Sequence, residues 1–495
     1  MKNLLVAVPQ LEIHRPPVST ALLAGIMHGA GYQVSCLDLN IQMYHDWGER
    51  EYYSYVDVWE KTREPTFEEK SNIKQFILKE LIPHCDNNTR VLISVFTVNS
   101  QIFTKLACQL IQADYPHCEI ILGGTGCNHG FGPYMLEEKL CNHVIYGEGE
   151  LALLNLLEGN TDYPGVDNET TQVQVNDLNT ESFPDYTDVN FDKYEYLYTN
   201  RREVNIVGSR GCVRKCTYCN VAAFWPKFRY RSGQNIADEM INYYEKHGVS
   251  QFYFTDSLIN GSLKAFRDMC DKLANYNQTH KAGFKWGGQF IFKQKKTVTD
   301  DYFDMIAQAG GDQFYVGVET GSDKIRWEMD KKFTNEDIDY HLEQFRRVGL
   351  RCFFLMIIGY HTETLQDHKD NLAMYSRWQK YVATDTISGI DLSTSLMFLA
   401  DTPLERMIDS HGIVFPTMQF EPDGTLKPNR LVWTSKSNPE LTFEERIRRR
   451  LEVHDVAMSY KWPIHRGVQR LESIKGHVEA YKFGKTRVMP IRNLN

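Results

Sequence analysis

Short apolar runs alternate with amphipathic stretches along most of this chain, in two series separated by a polar segment. Such alternation predicts strands and helices in turn, and strands joined by helices pair in parallel, so both series predict an α/β fold. The apolar runs of the first series are residues 4–8, 33–39, 91–96, 119–122 and 144–146. This series predicts a doubly wound, Rossmann-like domain over residues 1–160.

Two segments interrupt the alternation. Residues 41–88 are polar and aromatic, and they predict an insertion that ends in a helix around residues 73–82. Residues 161–200 are dominated by Asp, Asn, Thr, Tyr and Pro and show little periodicity. That composition is typical of a surface linker between two domains.

The second series predicts six strand–helix units. Six such units in about 200 residues fit a partial barrel over residues 201–405 better than an open sheet, and barrel enzymes place their chemistry at the carboxyl ends of the strands. The remaining residues, 406–495, are expected to be helical and polar, with Trp433, Trp462 and Tyr481 available to pack on the barrel. The apolar runs are residues 203–207, 251–255, 284–289, 313–318, 352–358 and 393–398.

The net charge of the chain argues against general binding of nucleic acid. The formal net charge of the 495 residues is -9, whereas binding to a phosphate backbone requires a basic surface. The densest basic run, Arg446 to Arg450, follows Glu444 and Glu445 in a helical pattern. We expect this run to be a solvated helix face.

The sequence gives no sign of export or of membrane insertion. The apolar run at residues 4–8 is too short for a signal peptide, and no segment approaches eighteen uninterrupted apolar residues. Eleven cysteines without an export signal indicate a reducing compartment, in which thiols stay free or bind metal. The expected location is cytoplasmic, with no membrane partner.

Three cysteines cluster directly after the first strand of the second series, at Cys212, Cys216 and Cys219. A structural zinc site needs four ligands, and a disulfide would leave the third thiol over. Three thiolates suit a four-iron four-sulfur cluster in which one iron has no protein ligand. Gly211 permits the turn into this loop, and Arg214 and Lys215 are expected to offset negative charge on a cluster.

The motif Cys212-x3-Cys216-x-Tyr218-Cys219, followed by six strand–helix units, resembles that of the radical S-adenosylmethionine (radical SAM) enzymes. The resemblance implies that the open iron binds S-adenosylmethionine. One-electron reduction, from a donor such as flavodoxin or ferredoxin, then cleaves it to methionine and a 5'-deoxyadenosyl radical. In such enzymes the cofactors carry the chemistry and the protein positions them.

The same resemblance assigns contacts with S-adenosylmethionine to four further residues: Tyr218, Asp256, Glu319 and Ile358. Glu319 ends the strand-like run "FYVGVE", for which the alternative is a solvated strand end. The residues after Ile358, "GYHTET", depart from the Gly-x-Pro-Gly-Glu-Thr common there and keep only its Gly359 and the final Glu–Thr pair.

The first series resembles the cobalamin-binding module that precedes the barrel in one large subfamily, on residues 16–40, 123–130, 147–150 and 183–186. It implies cobalamin contacts from Thr97, Gly123, Gly124 and Glu148. Glycine-rich loops at the carboxyl edge of such a sheet let a large cofactor approach the backbone. No Asp-x-His-x-x-Gly occurs there, so the histidine that ligates cobalt in many cobalamin enzymes is missing. The alternative is a module that kept the fold and lost the ligand.

These observations predict a radical SAM enzyme, and first among its activities a cobalamin-dependent C-methyltransferase acting on a small-molecule or natural-product-type substrate. One alternative is a radical SAM enzyme that catalyses a non-methylating rearrangement or cyclisation. A second is a methylthiotransferase-like enzyme with another cluster on N-terminal cysteines. A remote alternative is a non-catalytic iron–sulfur protein.

Overall fold

The chain folds as two compact units, Met1–Asn205 and Ile206–Asn495, and each is described by itself. No described helix is long and apolar enough to cross a membrane. The computed structural model describes residues 1–60, 63–128, 130–172, 174–179, 182–194, 201–392, 395–420 and 426–464.

The first unit is built on a five-stranded sheet with the order β2-β1-β3-β4-β5, in which all neighbouring strands run parallel. The order reverses between β1 and β3, which in doubly wound sheets marks the crevice for ligands at the carboxyl ends of the strands. The strands are β1 (Lys2–Ala7), β2 (Val34–Asp38), β3 (Thr89–Ser94), β4 (Glu119–Gly123) and β5 (His143–Ile145).

Both faces of this sheet are buried. Successive side chains of a strand point to opposite faces, so Leu4 and Val6 lie in one apolar core and Leu5 in the other. In the same way β3 sends Ile93 to the first core and Leu92 to the second. This burial on two sides explains why the strands read as continuous apolar runs.

Helices follow the strands of the first unit, as the alternation predicts. The insertion contains two longer helices, α2 and α4, and α4 begins at Thr66 with a capping box to Glu69. The helices are α1 (Val18–Gly29), α2 (Leu39–Ser54), α3 (Val56–Trp59), α4 (Phe67–Glu80), α5 (Gln101–Asp114), α6 (Phe131–Glu137) and α7 (Gly149–Leu157).

The described residues between 161 and 194 lie against this first unit. The backbone N–H of Asp185 donates to the carbonyl of Ala21 at 2.8 Å, and the Asp185 carboxylate lies 2.7 Å from Nδ1 of His28. This segment has turns and short 3-10 helices in place of longer elements, in keeping with its composition.

The second unit contains a six-stranded sheet with the order β13-β12-β11-β10-β9-β6. The pairs from β9 to β13 are parallel, and each of these five strands neighbours the next one along the chain. β6 lies next to β9, so β6 and β13 are the two edges. The α/β fold predicted from the sequence is thereby confirmed. The strands are β6 (Glu203–Ile206), β7 (Ser209–Arg210), β8 (Arg229–Tyr230), β9 (Gln251–Phe254), β10 (Lys285–Phe290), β11 (Gly311–Glu319), β12 (Arg351–Met356) and β13 (Ile387–Asp391).

The last strand of this sheet differs from the prediction. The last strand of the sheet is Ile387–Asp391. Residues 395–398 are the described part of the apolar run at 393–398: Ser395 forms one parallel bridge with Ile358, and Leu396 and Phe398 are buried in an apolar cluster with Trp433. An apolar run signals burial, and these two side chains are buried by packing in that cluster.

Helices connect the strands of the second unit and cover its sheet. The longest are α10 and α14, of 18 residues each. The helices are α8 (Val221–Phe224), α9 (Gly233–His247), α10 (Leu263–His280), α11 (Asp300–Gln308), α12 (Asp323–Glu328), α13 (Asn335–Val348), α14 (Leu365–Val382) and α15 (Phe443–Ser459).

The expectation of a helical C-terminal region, 406–495, is wrong for much of its described part. The described residues 413–420 and 426–435 contain two pairs of short antiparallel strands, and α15 is the long helix that follows. Pro416 and Pro428 explain why these described residues do not form a helix. Tyr481 lies outside the described residues. The strands are β14 (Ile413–Val414), β15 (Met418–Phe420), β16 (Leu426–Pro428) and β17 (Thr434–Ser435).

The arginine run on α15 is mostly buried, so the expected solvated face is wrong. Arg446, Arg449 and Arg450 are each no more than 4% exposed, while the side chain of Arg448 is 53% exposed. The guanidinium of Arg446 lies 3.7 Å from the ring centroid of Trp433. These three arginines share one face of the helix, and that face points inward. The ring of Trp433 stacks on Arg446, and backbone carbonyls accept hydrogen bonds from its guanidinium.

Candidate active site

The three clustered cysteines lie on one loop that follows β6 and the short strand β7. Gly211 has a φ of +87°, so this position in the turn into the loop suits a residue without a side chain. The loop folds back on itself where the N–H of Cys219 donates to the carbonyl of Cys216 at 3.1 Å, and the N–H of Arg214 lies 3.4 Å from Sγ of Cys212. Three thiols are thereby held within one short stretch.

The chemistry of this loop fits an iron–sulfur cluster better than a single metal ion. Burial raises the pKa of each of the three thiols, and the Lys331 ammonium opposes that rise at all three. Among the described residues, no three His, Cys, Asp or Glu side chains are arranged to hold one metal ion. An iron–sulfur cluster does not require the three thiolates to converge on one ion, because each thiolate binds its own iron.

Asp256 holds the backbone that leads into the cysteine loop. Its carboxylate accepts hydrogen bonds from the N–H of Gly208 at 2.8 Å and from Oγ of Ser209 at 2.7 Å. The residue follows β9 and is 4% exposed, and burial raises its pKa to about 7. The predicted contact with S-adenosylmethionine stays a prediction, and what Asp256 contacts here is the loop.

Thr217, between two of the cysteines, is held by three hydrogen bonds. Its N–H donates to the carbonyl of Met329 at 3.3 Å, and its own carbonyl accepts from the N–H of Leu404 at 2.8 Å. Its hydroxyl shares a hydrogen bond of 2.8 Å with the Tyr360 hydroxyl. The loop is therefore fixed by residues that come from three distant parts of the chain.

Tyr218, Glu319 and Lys331 form a polar group beside the thiols, in which Glu319 and Lys331 are buried and Tyr218 is half-buried. The Tyr218 hydroxyl donates to Oε1 of Glu319 at 2.7 Å, and Nζ of Lys331 lies 2.7 Å from the same oxygen. Glu319 ends β11 after a break in register and has a φ of +68°, a conformation that side chains rarely adopt. Such backbone strain is typical of functional positions.

Gly317 makes room for this group. A Cβ at Gly317 would lie 2.2 Å from Oε1 of Glu319 and 2.5 Å from Nζ of Lys331. The carboxylate and the ammonium therefore occupy the space that any other residue would fill at this position.

In the loop after β12, Glu363 and Thr364 are the Glu–Thr pair that this chain shares with the family's Gly-x-Pro-Gly-Glu-Thr motif. Both residues have structural roles there. Oε2 of Glu363 accepts from the N–H of Gly359 at 2.9 Å, and its Oε1 forms an ion pair of 2.9 Å with Arg449. Thr364 begins α14 with a capping box to Asp367. Ile358 itself is 1% exposed, and its predicted contact with adenine stays a prediction.

Sequence reasoning missed two cations at this site, Lys331 and Lys293. Lys293 follows β10, where burial and then the charge of Arg214 lower its pKa to about 8. The signal that could have identified it is a lysine directly after the apolar residues 290–292. No sequence pattern identifies Lys331, because its contact with Glu319 forms only in the folded protein.

In the first unit, the residues predicted to contact cobalamin divide into two groups. Gly123 ends β4, Gly124 follows with a φ of +111°, and Thr97 lies after β3, so these three share one edge of the sheet. The carbonyl of Gly123 accepts from the N–H of Val95 at 2.7 Å, which ties the loops together. Glu148 follows β5, and its Oε2 accepts from the N–H of Val175 at 2.6 Å.

Residues 206–374 match the family model of the radical SAM superfamily. The chain is 26% identical over 189 residues to cytidylyl-2-hydroxyethylphosphonate methyltransferase from Streptomyces wedmorensis, covering 36% of this chain and 34% of that protein. It is 22% identical over 325 residues to anaerobic magnesium-protoporphyrin IX monomethyl ester cyclase from Cereibacter sphaeroides, covering 62% of this chain and 51% of that protein. The chain thus spans about half the length of these relatives, or less.

A third relative is tRNA-2-methylthio-N(6)-dimethylallyladenosine synthase from Clostridium novyi, 27% identical over 174 residues, covering 33% of this chain and 37% of that protein. Its match, like that to the phosphonate methyltransferase, covers only about a third of this chain. Three relatives with three different reactions therefore share sequence with this chain.

Two solved structures resemble the chain over nearly its whole length. The radical S-adenosylmethionine methyltransferase TsrM from Kitasatospora setae, with cobalamin and a [4Fe-4S] cluster bound, superimposes with a TM-score of 0.62 at 14% identity, covering 97% of this chain and 95% of that one. The cobalamin-dependent S-adenosylmethionine radical enzyme OxsB gives a TM-score of 0.65 at 15% identity, covering 97% and 71%. With the family match, this likeness leads to one conclusion: residues 206–374 form a domain that matches the radical SAM superfamily, and the chain has the fold of these two solved structures.

Proposed function

We propose that this chain is a cobalamin-dependent radical SAM methyltransferase in which Cys212, Cys216 and Cys219 hold a four-iron four-sulfur cluster. One observation carries the proposal: the three thiols share a fixed loop directly after the first strand of a six-stranded sheet, beside Lys331. Three thiolates leave one iron open, whereas a closed structural site would use a fourth ligand. The open iron is the place for S-adenosylmethionine.

A bound cluster of this kind supplies the single electron that cleaves S-adenosylmethionine. The protein's own residues position the thiolates and balance their charge. The Lys331 ammonium favours the thiolate forms of the three cysteines, which are the forms that bind iron. Asp256 fixes the backbone that leads into the loop, and Thr217 fixes the loop between its second and third cysteines. Glu319 places a carboxylate beside it.

The first unit offers an edge that suits a large cofactor, and we assign cobalamin to it. Thr97, Gly123 and Gly124 lie at the carboxyl ends of β3 and β4, where doubly wound sheets bind their ligands. The neighbouring side chains of Phe96 and Val98 are 53% and 43% exposed, which suits a ligand with broad apolar faces. Cobalamin bound there would carry a methyl group to carbon after taking it from a second S-adenosylmethionine, which would leave as S-adenosylhomocysteine.

The substrate that we propose is a small molecule, and the electron donor a flavodoxin or ferredoxin. Two of the similar proteins are named as methyltransferases, and both solved structures are named for cobalamin, S-adenosylmethionine or both. These names support methyl transfer as the first reaction to test.

Anaerobic reconstitution with iron, sulfide and hydroxocobalamin tests the proposal. We expect about four irons per chain, a bound cobalamin spectrum, and, after reduction with S-adenosylmethionine present, both 5'-deoxyadenosine and S-adenosylhomocysteine. No cleavage of S-adenosylmethionine would refute the radical enzyme and support a non-catalytic iron–sulfur protein. 5'-Deoxyadenosine without S-adenosylhomocysteine would refute methyl transfer alone.

A second candidate is a ring-forming or rearranging radical enzyme. The observation that favours it is the match to a cyclase over 62% of this chain, the most extended of the relatives named above. This candidate predicts 5'-deoxyadenosine as the sole product from S-adenosylmethionine besides methionine.

A methylthiotransferase-like activity is distinguished by its iron content. It would need a second cluster on cysteines of the first unit, of which five of the six are buried. About eight irons per chain would support this reading and about four would exclude it. The six cysteines are Cys36, Cys85, Cys108, Cys118, Cys127 and Cys141.

A further inference from the structure

The insertion between β2 and β3 forms a pocket in the first unit. Its volume is about 320 Å³, and its walls come from α2, from Tyr55 directly after α2, and from α4. Pockets that bind small molecules range from roughly 300 to 1,000 Å³. This pocket therefore has room for a small ligand, and its lining includes none of the residues assigned above to cobalamin or to the cluster.

Three aromatic rings form the apolar part of the pocket. The ring centroid of Trp47 lies 4.7 Å from that of Tyr55 and 6.0 Å from that of Phe76. Tyr55 and Phe76 are each 3% exposed, whereas Trp47 is half-buried. The Tyr55 ring also stacks on Trp59 at 5.9 Å, and its hydroxyl accepts a hydrogen bond of 3.1 Å from Nδ2 of Asn72. The pocket thus offers a fixed aromatic surface, and the faces of such rings attract cations.

The charged side chains at this pocket leave an excess of negative charge. The Lys79 ammonium is shared by two carboxylates, Asp46 at 2.6 Å and Glu80 at 3.1 Å. The carboxylate of Glu51, which lines the pocket, forms no ion pair or hydrogen bond with a described residue. Burial raises the pKa of Tyr55, and the Glu51 carboxylate raises it further, so this charge acts on the aromatic wall. A cation in the pocket would therefore be attracted by Glu51.

The backbone of α2 breaks beside the pocket, at Gly48. Its φ of +76° and ψ of 159° are non-helical and lie in a region that is essentially restricted to glycine. The break separates Asp46 and Trp47 from Glu51, so two helical segments that meet at a bend line one pocket. Backbone conformations of this kind are unfavourable and recur at ligand sites.

We propose that this pocket binds a small organic cation, an amine whose apolar body packs on Trp47 and Phe76 and whose charge lies beside Glu51. An anionic ligand would be repelled by Glu51, and a neutral one would gain nothing from its charge. The proposal goes beyond methyl transfer, because the pocket shares no residue with the site of that reaction.

Isothermal titration calorimetry of the full chain tests this proposal, with the cluster reconstituted and no cobalamin added. The probes are phenethylamine and phenethyl alcohol, which share one shape and differ in charge. We expect the amine to bind with a Kd of about 1 mM or below and about tenfold more tightly than the alcohol. Raising the salt concentration from about 50 to about 500 mM should weaken binding of the amine, because Glu51 is exposed.

Two variants locate the binding in the pocket. Glu51→Gln keeps the size of an exposed side chain and removes its charge, so the Kd of the amine should rise about threefold or more. Glu49→Gln, at an exposed carboxylate of the same helix outside the pocket lining, is the matched control and should leave that Kd unchanged. Trp47→Leu should weaken binding of both probes, whereas Trp327→Leu, at a 51% exposed tryptophan of the second unit, should not.

Four results would overturn the inference. They are no saturable binding of the amine, equal Kd values for the amine and the alcohol, an unchanged Kd in Glu51→Gln, and displacement of the amine by hydroxocobalamin. The last result would make the pocket part of the cofactor site. All four are read without turnover, so they are independent of whether the protein cleaves S-adenosylmethionine.

Discussion

The Tyr218 hydroxyl donates a hydrogen bond of 2.7 Å to Oε1 of Glu319 and so joins the cysteine loop to the end of β11. Tyr218→Phe removes this bond and leaves the Glu319–Lys331 ion pair in place. We expect a loss of about 1 kcal/mol in the free energy of unfolding, with iron content unchanged and a higher Kd for S-adenosylmethionine. Urea unfolding and equilibrium binding measure both. Tyr230→Phe, at an exposed tyrosine, is the control, and an unchanged Kd in Tyr218→Phe would contradict the role.

Each of the three clustered cysteines should be indispensable for the cluster. Cys212→Ala, Cys216→Ala and Cys219→Ala remove one of three thiolates, so we expect loss of bound iron and of S-adenosylmethionine cleavage together. Iron analysis and the visible spectrum after reconstitution check this. Cys270→Ala, at a buried thiol on α10, should keep both. Full activity in any one of the three variants would contradict the assignment.

Gly317→Ala should disturb the Glu319–Lys331 pair without altering either residue. The new Cβ would lie 2.2 Å from Oε1 of Glu319, so the pair must shift. We expect about 1–3 kcal/mol of destabilisation from this overpacking and weaker binding of S-adenosylmethionine. A double-mutant cycle with Glu319→Gln separates this cause from general strain, because the two effects should be less than additive. Strict additivity would show that Gly317 acts elsewhere.

The sequence was sufficient for those features that depend on local pattern. The alternation predicted both parallel sheets, since buried strands between helices leave continuous apolar runs, and the cysteine spacing located the loop after β6. The assignments to Tyr218, Asp256, Glu319 and Ile358 stay predictions, as do those in the first unit.

Features that depend on distant contacts could not be predicted. Arg446 is buried because Trp433, from another segment, stacks on it, and periodicity alone shows which residues share a helix face but not which face is covered. Lys331 belongs to the site only because Glu319 takes a left-handed backbone conformation that no pattern signals. Leu396 and Phe398 of the apolar run are buried by packing in one cluster with Trp433, which the run itself does not reveal.

The buried ion pair between Arg449 and Glu363 should contribute more to stability than its exposed neighbour. The two side chains are 4% and 0% exposed, and Arg449→Met would leave the Glu363 carboxylate buried without its cation. We expect a loss of about 3 kcal/mol in the free energy of unfolding. Arg448→Met, one residue away with a 53% exposed side chain, should lose less than about 1 kcal/mol. Equal losses in urea unfolding would contradict this difference.

Two buried histidines should make the second unit sensitive to acid. Burial lowers the pKa of His341 and of His361 to about 3, so both stay neutral in the folded protein while the unfolded chain binds protons below about pH 6.5. Stability is therefore complete above pH 6.5 and is lost as the pH falls towards 3. Between pH 7.5 and 5.5 we expect the two histidines together to cost about 3 kcal/mol, partly offset by buried Asp256, whose pKa of about 7 makes the folded protein the better proton acceptor there. His341→Gln should reduce the pH-dependent loss measured by urea unfolding by about 1.4 kcal/mol, whereas His280→Gln, at an exposed histidine on α10, should leave it unchanged. An identical loss in His341→Gln and the wild type would show that this histidine does not titrate on unfolding.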